Sequence, residues 1–296
     1  MDPALIEADL RRELGRRKVT EDFVSPALVD RLAKTLEFED DPPCSGEPLP
    51  TGWHTIFCLH AASRDELGAD GLPLKYELIP QVPMQRRLFG GARLEFHAPL
   101  VVGEKITCES ELSNVKLRST PGALIAVATL RHYFSGPAGL AVVEDQDIIH
   151  LEPLEGGDEA EKHERTGDSK ALPAPTLQRI FAPDPITLFR FSALTFNSHR
   201  IHYDAPYTEA VEKLPKLMVQ GKLIALSLIE LARQALPAAT FRTFKYRSSQ
   251  PLYVGVPCTL AADIDEGSQS AQLWAEDEGG AIVQKASLEF DTADHP

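Results

Sequence analysis

Residues 221-GKLIALSLIELARQAL-236 read as a helix in which Leu223, Ile224, Leu226, Leu228, Ile229 and Leu231 are spread nearly all round the circumference. A helix apolar on every side cannot lie on a surface; it has to be enclosed. The segments after it supply the enclosure. Extended stretches at 241–247, 258–266, 270–278 and 280–290 predict strands, and earlier ones at 92–99, 104–118, 122–135 and 140–151 predict a second set. In 122-GALIAVATLRHYFS-135 the alternation has the period of two that half-buried strands require.

The two sets are copies. Residues 99-PLVVGEKIT-107 align without gaps on 251-PLYVGVPCT-259 at an offset of 152, sharing Pro, Leu, Val, Gly and Thr. A fainter echo pairs 29–37 with 189–197. Between the copies, 154-LEGGDEAEKHERTGDSKA-171 is charged and almost free of apolar side chains, so it reads as an exposed linker. The expected organisation is an N-terminal unit over 1–153, the linker at 154–171 and a C-terminal unit over 172–296. The N-terminal unit opens with helices at 3–14 and 26–36 and holds a short apolar helix candidate at 50–62. In the C-terminal unit, 186-ITLFRFSALTF-196 is taken as a strand and turn leading to the central helix. One helix wrapped by an antiparallel sheet of about five strands is a hotdog unit. The fold class expected is therefore α+β, a double hotdog.

A net charge of −14 argues against nucleic acid, because phosphate backbones are held by Lys and Arg. No run approaches the ~18 apolar residues of a membrane span. No secretory signal is read at the start of the chain. Cys44, Cys58, Cys108 and Cys258 are far apart and lack metal or redox spacing, so they are taken as buried apolar filler in a reducing cytoplasm.

Chemistry concentrates in 192-SALTFNSHRIHYD-204, where Asn197, His199, Arg200, His202 and Asp204 follow an apolar stretch. His199 and His202 could form a metal pair, but no third ligand lies near them in sequence. Asp204 reads as a loop cap. Arg200 in apolar surroundings needs an anion, either Asp204 or a carboxylate on a ligand. Ser227 either bonds back to its own helix or meets a ligand. Arg242, Lys245 and Arg247 are the dense basic cluster of this half, either a solvated strand face or a phosphate site.

The Asn197-x4-His202 spacing resembles the Asp-x4-His motif of MaoC-like, R-specific enoyl-CoA hydratases, and Gly221 and Ser227 match the start of that family's central helix. SALTFNSHRIHYDAPY is closer still to the hydroxyacyl-thioester dehydratase type 2 branch, which includes mesaconyl-C4-CoA hydratases. Residues 52–73 and 83–100 resemble the N-terminal halves of that branch. The resemblance implies a hydro-lyase that adds water to an enoyl thioester, with CoA as part of the substrate, no separate cofactor and no metal. It implies His202 as catalytic base, Asn197 orienting the water and the Gly221 N–H stabilising the enolate oxygen. A single such donor is worth ~3–4 kcal/mol. Asn197 departs from the family's Asp, and an amide cannot take a proton. That leaves base duty to His202, whose unperturbed pKa is about 6.5. Gln220, where relatives often have His, joins Arg200, Ser227, Arg242, Lys245 and Arg247 as substrate-binding candidates. In the N-terminal copy Glu37 and Pro42 fall at the positions of Asn197 and His202, so that half is expected to be a wall without catalytic groups. The competing expectations are an acyl-carrier-protein dehydratase, a hotdog thioesterase and a non-catalytic acyl-binding protein. A monomer or homodimer is expected.

Overall fold

The computed structural model describes residues 3–38, 40–75, 77–79, 86–120, 123–151 and 172–292. The charged segment 154–171 lies outside them. Two helices and a strand open the chain: α1 Pro3–Arg12, β1 Arg17–Phe23 and α2 Pro26–Leu36. Long strands follow at β2 Arg86–Phe96, β3 Lys105–Thr120, β4 Ala123–Gly136 and β5 Gly139–Leu151. The second half runs β6 Leu177–Phe181, α3 Pro185–Leu194, α4 Ala205–Ala210, α5 Gly221–Ala235, β7 Thr240–Ser248, β8 Cys258–Asp265, β9 Ser270–Asp277 and β10 Ile282–Asp291.

All ten strands join one sheet in the order β1-β3-β4-β5-β2-β7-β10-β9-β8-β6. Every neighbouring pair is antiparallel. Read outward from the β2–β7 seam, the two five-stranded halves have the same order. The repeat seen in the sequence is thus a structural one: 99–107 leads into β3 and 251–259 into β8. The weaker echo also has substance, because α2 and α3 each follow the first strand of their half and pack on each other.

Three expectations change. Residues 186–196 are not a strand: Asp184 caps α3, its Oδ1 accepting from the Thr187 N–H at 2.8 Å, and Pro185 occupies the first turn. Asp followed by Pro is a helix start, and the buried Leu188, Phe191 and Leu194 recur at helical spacing. The first strand of each half, 17–23 and 177–181, was missed because both are short edge strands alternating between intermediate and exposed side chains. The helix candidate at 50–62 is only a 3-10 turn, Trp53–Ile56. Among the described residues the N-terminal half therefore has no counterpart of α5. This is a double hotdog in which, among the described residues, the wrapped helix belongs to the second unit.

That helix is enclosed as its composition demands, with every residue from Leu223 to Ala232 buried. The buried Glu230 on it is paired twice. Trp53 Nε1 donates to Oε1 at 2.9 Å and Arg233 Nε to Oε2 at 2.8 Å, which ties the N-terminal half to α5. Trp53→Phe keeps most of the ring but orphans one oxygen of a buried carboxylate. The expected loss is about 1–3 kcal/mol of unfolding free energy, read from the urea midpoint at unchanged m-value.

Candidate functional site

A cavity of about 2320 Å³ borders both halves of the molecule. Its N-terminal wall is the inner face of β4 and β5, which no helix covers among the described residues. Its C-terminal wall is the segment after α3 together with the first turn of α5. Asn197, His199, His202, Gln220 and Gly221 all line it.

His202 is 6% exposed and closes a short turn, Arg200–His202. The chain beside it is fixed from both ends: the Met218 N–H donates to the Ile201 carbonyl at 2.9 Å, and His202 Nδ1 donates to the Met218 carbonyl at 2.7 Å. A carbonyl only accepts, so the proton sits on Nδ1 and Nε2 keeps its lone pair. Burial pulls the His202 pKa down to about 4, partly offset by the Met218 contact. The ordinary imidazole value expected from the sequence therefore does not hold. His199 stands edge-on to it, ring centroids 5.6 Å apart, with its pKa lowered to about 3 by burial and then by His202 and Arg87.

Asn197 closes the end of α3, its N–H donating to the Ser192 carbonyl at 2.8 Å. Its side-chain oxygen accepts from the His199 N–H at 3.1 Å. That contact engages the oxygen with protein, where the sequence had assigned it to water.

Gly221 opens α5, and the N–H groups of a first helical turn have no acceptor inside the helix. Its peptide is held by Gln284, whose Nε2 donates to the Gly221 carbonyl at 3.1 Å and lies 3.2 Å from Ser248 Oγ. A Cβ at Gly221 would come within 3.1 Å of Ser248 Oγ. Gln220 lines the cavity, but its amide nitrogen is committed to the Leu188 carbonyl and Ser192 Oγ at 3.0 and 2.9 Å, fastening α3 to the start of α5.

Five expected ligand contacts do not survive. Arg200 Nε and Nη2 donate to Asp204 Oδ2 at 3.0 and 2.8 Å, Nη1 donates to the Ala69 carbonyl, and the guanidinium lies over the Tyr207 ring. Its anion is Asp204, which also caps α4 through the Tyr207 N–H. Ser227 is buried and donates to the Leu223 carbonyl at 2.9 Å within its own helix. Arg242, Lys245 and Arg247 are exposed on β7, while its inward residues are Phe241, Phe244 and Tyr246. Period-two alternation turns Lys245 and Arg247 outward, and the register shift at Arg242 keeps that cation exposed as well. Arg242 pairs with Asp291 there.

Other cavity groups came from long-range contacts that no spacing announces. Glu144, on β5, is buried with His54 Nε2 at 3.2 Å and Lys222 Nζ at 3.9 Å. Burial opposes its ionisation, yet Lys222 and then His54 outweigh it and hold the carboxyl below the ordinary carboxylate range. Arg87 lines the same space, bonded to the Pro73 carbonyl at 2.6 Å. The cysteines are not uniform filler either. Cys44 is exposed, and Cys108 Sγ lies 3.5 Å from Ser110 Oγ on the cavity wall. Among the described residues no helix is long and apolar enough to cross a membrane.

The family model for hydroxyacyl-thioester dehydratase type 2 matches residues 52–254. The mesaconyl-C(4)-CoA hydratase of Chloroflexus aurantiacus is 35% identical over 293 residues, covering 96% of this chain and 98% of its own. The mitochondrial hydroxyacyl-thioester dehydratase type 2 of Schizosaccharomyces pombe is 26% identical, covering 89% and 94%. Among solved structures, a MaoC-like dehydratase from Phytophthora capsici superposes with a TM-score of 0.68 at 15% identity, covering 97% of this chain and 99% of that one. A Mycobacterium tuberculosis protein with a double hotdog fold gives 0.56 at 12% identity, covering 95% and 98%. At such identities these two bear on the fold alone.

Proposed function

The chain belongs to the hydroxyacyl-thioester dehydratase type 2 family, and from that premise we propose that it is a hydro-lyase adding water across the C=C bond of an enoyl-CoA. The observation that carries the proposal is one cavity bordered by a buried imidazole with Nε2 left as acceptor and by the free N–H end of an enclosed helix. An enoyl thioester needs both: a base for water and a donor for the oxygen that becomes an enolate.

In this mechanism a water gives a proton to His202 Nε2 as its oxygen bonds to the β-carbon. The electron pair of the C=C bond moves toward the thioester, whose oxygen is met by the Gly221 N–H with the positive end of the α5 dipole behind it. His202 then passes the proton to the α-carbon, which adds both groups to one face. A buried imidazole of pKa about 4 is a weak base toward free water. The enolate charge growing in the same low-dielectric space stabilises the imidazolium and restores its reach.

We take the acyl group to be a C5 methyl-branched dicarboxylate, as in mesaconyl-C4-CoA, with the 35% identical relative as support. With Arg200 engaged elsewhere, we assign its free carboxylate to Arg87 and Lys222, two of the cations that border the cavity. The alternative, a 3-hydroxyacyl-acyl-carrier-protein dehydratase, shares the support of the family match, and the exposed Arg242, Lys245 and Arg247 on β7 are the patch on which such a carrier would dock. A free CoA ester also suits a cytoplasmic enzyme.

Incubation with mesaconyl-C4-CoA should bleach the enoyl-thioester absorbance without releasing thiol; thiol release with no hydroxyacyl product would reject the proposal. The pH profile adds a test. Only neutral His202 can accept a proton, so activity is held above the depressed pKa and lost as pH falls through about 4, instead of near 6.5. The same sign applies to stability: between about 6.5 and 4 the unfolded chain binds protons that the native one refuses, so stability falls with pH across that window. The acid limb should therefore be read by brief pH jumps from neutral stocks.

A further inference from the structure

The attacking water needs a second contact besides the base, or it is free to rotate. The residue expected to provide it, Asn197, has its side-chain oxygen on the His199 backbone N–H at 3.1 Å. What that hydrogen bond does is fix the chain that carries the His199 ring. The ring lines the same cavity as His202, with centroids 5.6 Å apart and planes at 87°. Among the described residues no side-chain hydrogen bond occupies either ring nitrogen of His199, in contrast to His202, whose Nδ1 is tied to Met218. The nearby ring therefore has an acceptor to offer that none of the described residues uses.

We propose that His199 positions the attacking water, accepting a hydrogen bond from it through a ring nitrogen while His202 takes its other proton. The inference rests on the hydratase proposal above and deepens it. In the balanced step one O–H bond of water breaks, its proton passing to His202 Nε2, and a C–O bond forms at the β-carbon. The enolate pair then takes that proton at the α-carbon, and His199 neither gains nor loses one. This role requires a lone pair at working pH, which the lowered pKa of the buried ring secures. Asn197 becomes a positioning residue acting through His199.

Two reactions separate this from a structural role. Hydration of an enoyl-CoA needs the water held; exchange of the α-hydrogens of a saturated thioester, butyryl-CoA in D2O, needs only His202 and the Gly221 N–H. His199→Ala should lower kcat for hydration about tenfold to hundredfold with KM changed by less than about threefold. Its butyryl-CoA exchange should stay within about threefold of wild type, and His199→Gln, which keeps an acceptor, should recover most of the hydration rate. Three results would overturn the proposal: hydration by His199→Ala at the wild-type rate, equal loss of hydration and exchange, or Gln as damaging as Ala. The Gln/Ala comparison decides alone if wild-type exchange is below detection. A wild-type protein that hydrates no enoyl-CoA would instead reject the hydratase assignment itself.

Discussion

His202→Ala is expected to lower kcat for mesaconyl-C4-CoA hydration by about 10²–10⁴, the usual contribution of a positioned general base. The residual rate would come from the Gly221 N–H and from confinement in the cavity. Binding should suffer less, because the imidazole contacts the water and not the CoA moiety, so the loss should sit in kcat. The substitution also leaves the Met218 carbonyl without its donor, at a cost of about 1–3 kcal/mol. Circular dichroism and a urea titration must accompany the kinetics to show that the variant is folded. A folded His202→Ala protein with kcat within about threefold of wild type would remove the residue from the mechanism.

The prominence of His202 could be read without coordinates because its motif is local: Asn197, His199, His202 and the start of α5 lie within 25 residues. The same locality made the enclosed helix and the repeat legible, since both are patterns of apolar residues and turns along the chain. What failed to show were relations across the sheet. The partners of Glu144 are His54 and Lys222, one from each side of the seam, and neither has a spacing to announce it. For Arg200 the sequence left open Asp204 or a ligand carboxylate, and the structure gives it Asp204. Its partners are the Asp204 carboxylate, four residues on, and the Ala69 carbonyl, which comes from the other half and has no spacing to announce it. For the basic strand, where the sequence allowed either a solvated face or a phosphate site, the question was one of facing. Alternation showed that Lys245 and Arg247 share a face; which face meets the cavity depends on Phe244 and Tyr246 packing inward. Glu144 and Cys108 further qualify the picture of an inert N-terminal half, which supplies polar groups to the shared cavity even though Glu37 and Pro42 stand at the positions of Asn197 and His202.

The second large effect is expected far from any acid or base, at Gly71. The loop holding it is stitched to the catalytic segment: Ser198 Oγ donates to the Gly71 carbonyl at 2.5 Å, the Arg200 N–H to the Asp70 carbonyl at 2.9 Å, and Arg200 Nη1 to the Ala69 carbonyl at 2.9 Å. Gly71 has φ +83°, and a Cβ added there would lie 2.0 Å from the Ser198 carbonyl oxygen. No side chain can occupy that space, so Gly71→Ala must push the 69–71 loop and the 198–200 strip apart. Left-handed strain adds about 1–3 kcal/mol on top of the overlap. The displaced strip carries His199 and leads directly into His202, and a shift of about 1 Å in reacting groups costs roughly 10²-fold in rate. Gly15→Ala is the matched control, because Gly15 has nearly the same backbone twist, φ +80°, with nothing within 4 Å of an added Cβ. Both variants should lose stability through backbone strain, but only Gly71→Ala should lose kcat. Equal activities in the two would mean that the N-terminal loop does not hold His199 and His202 in place.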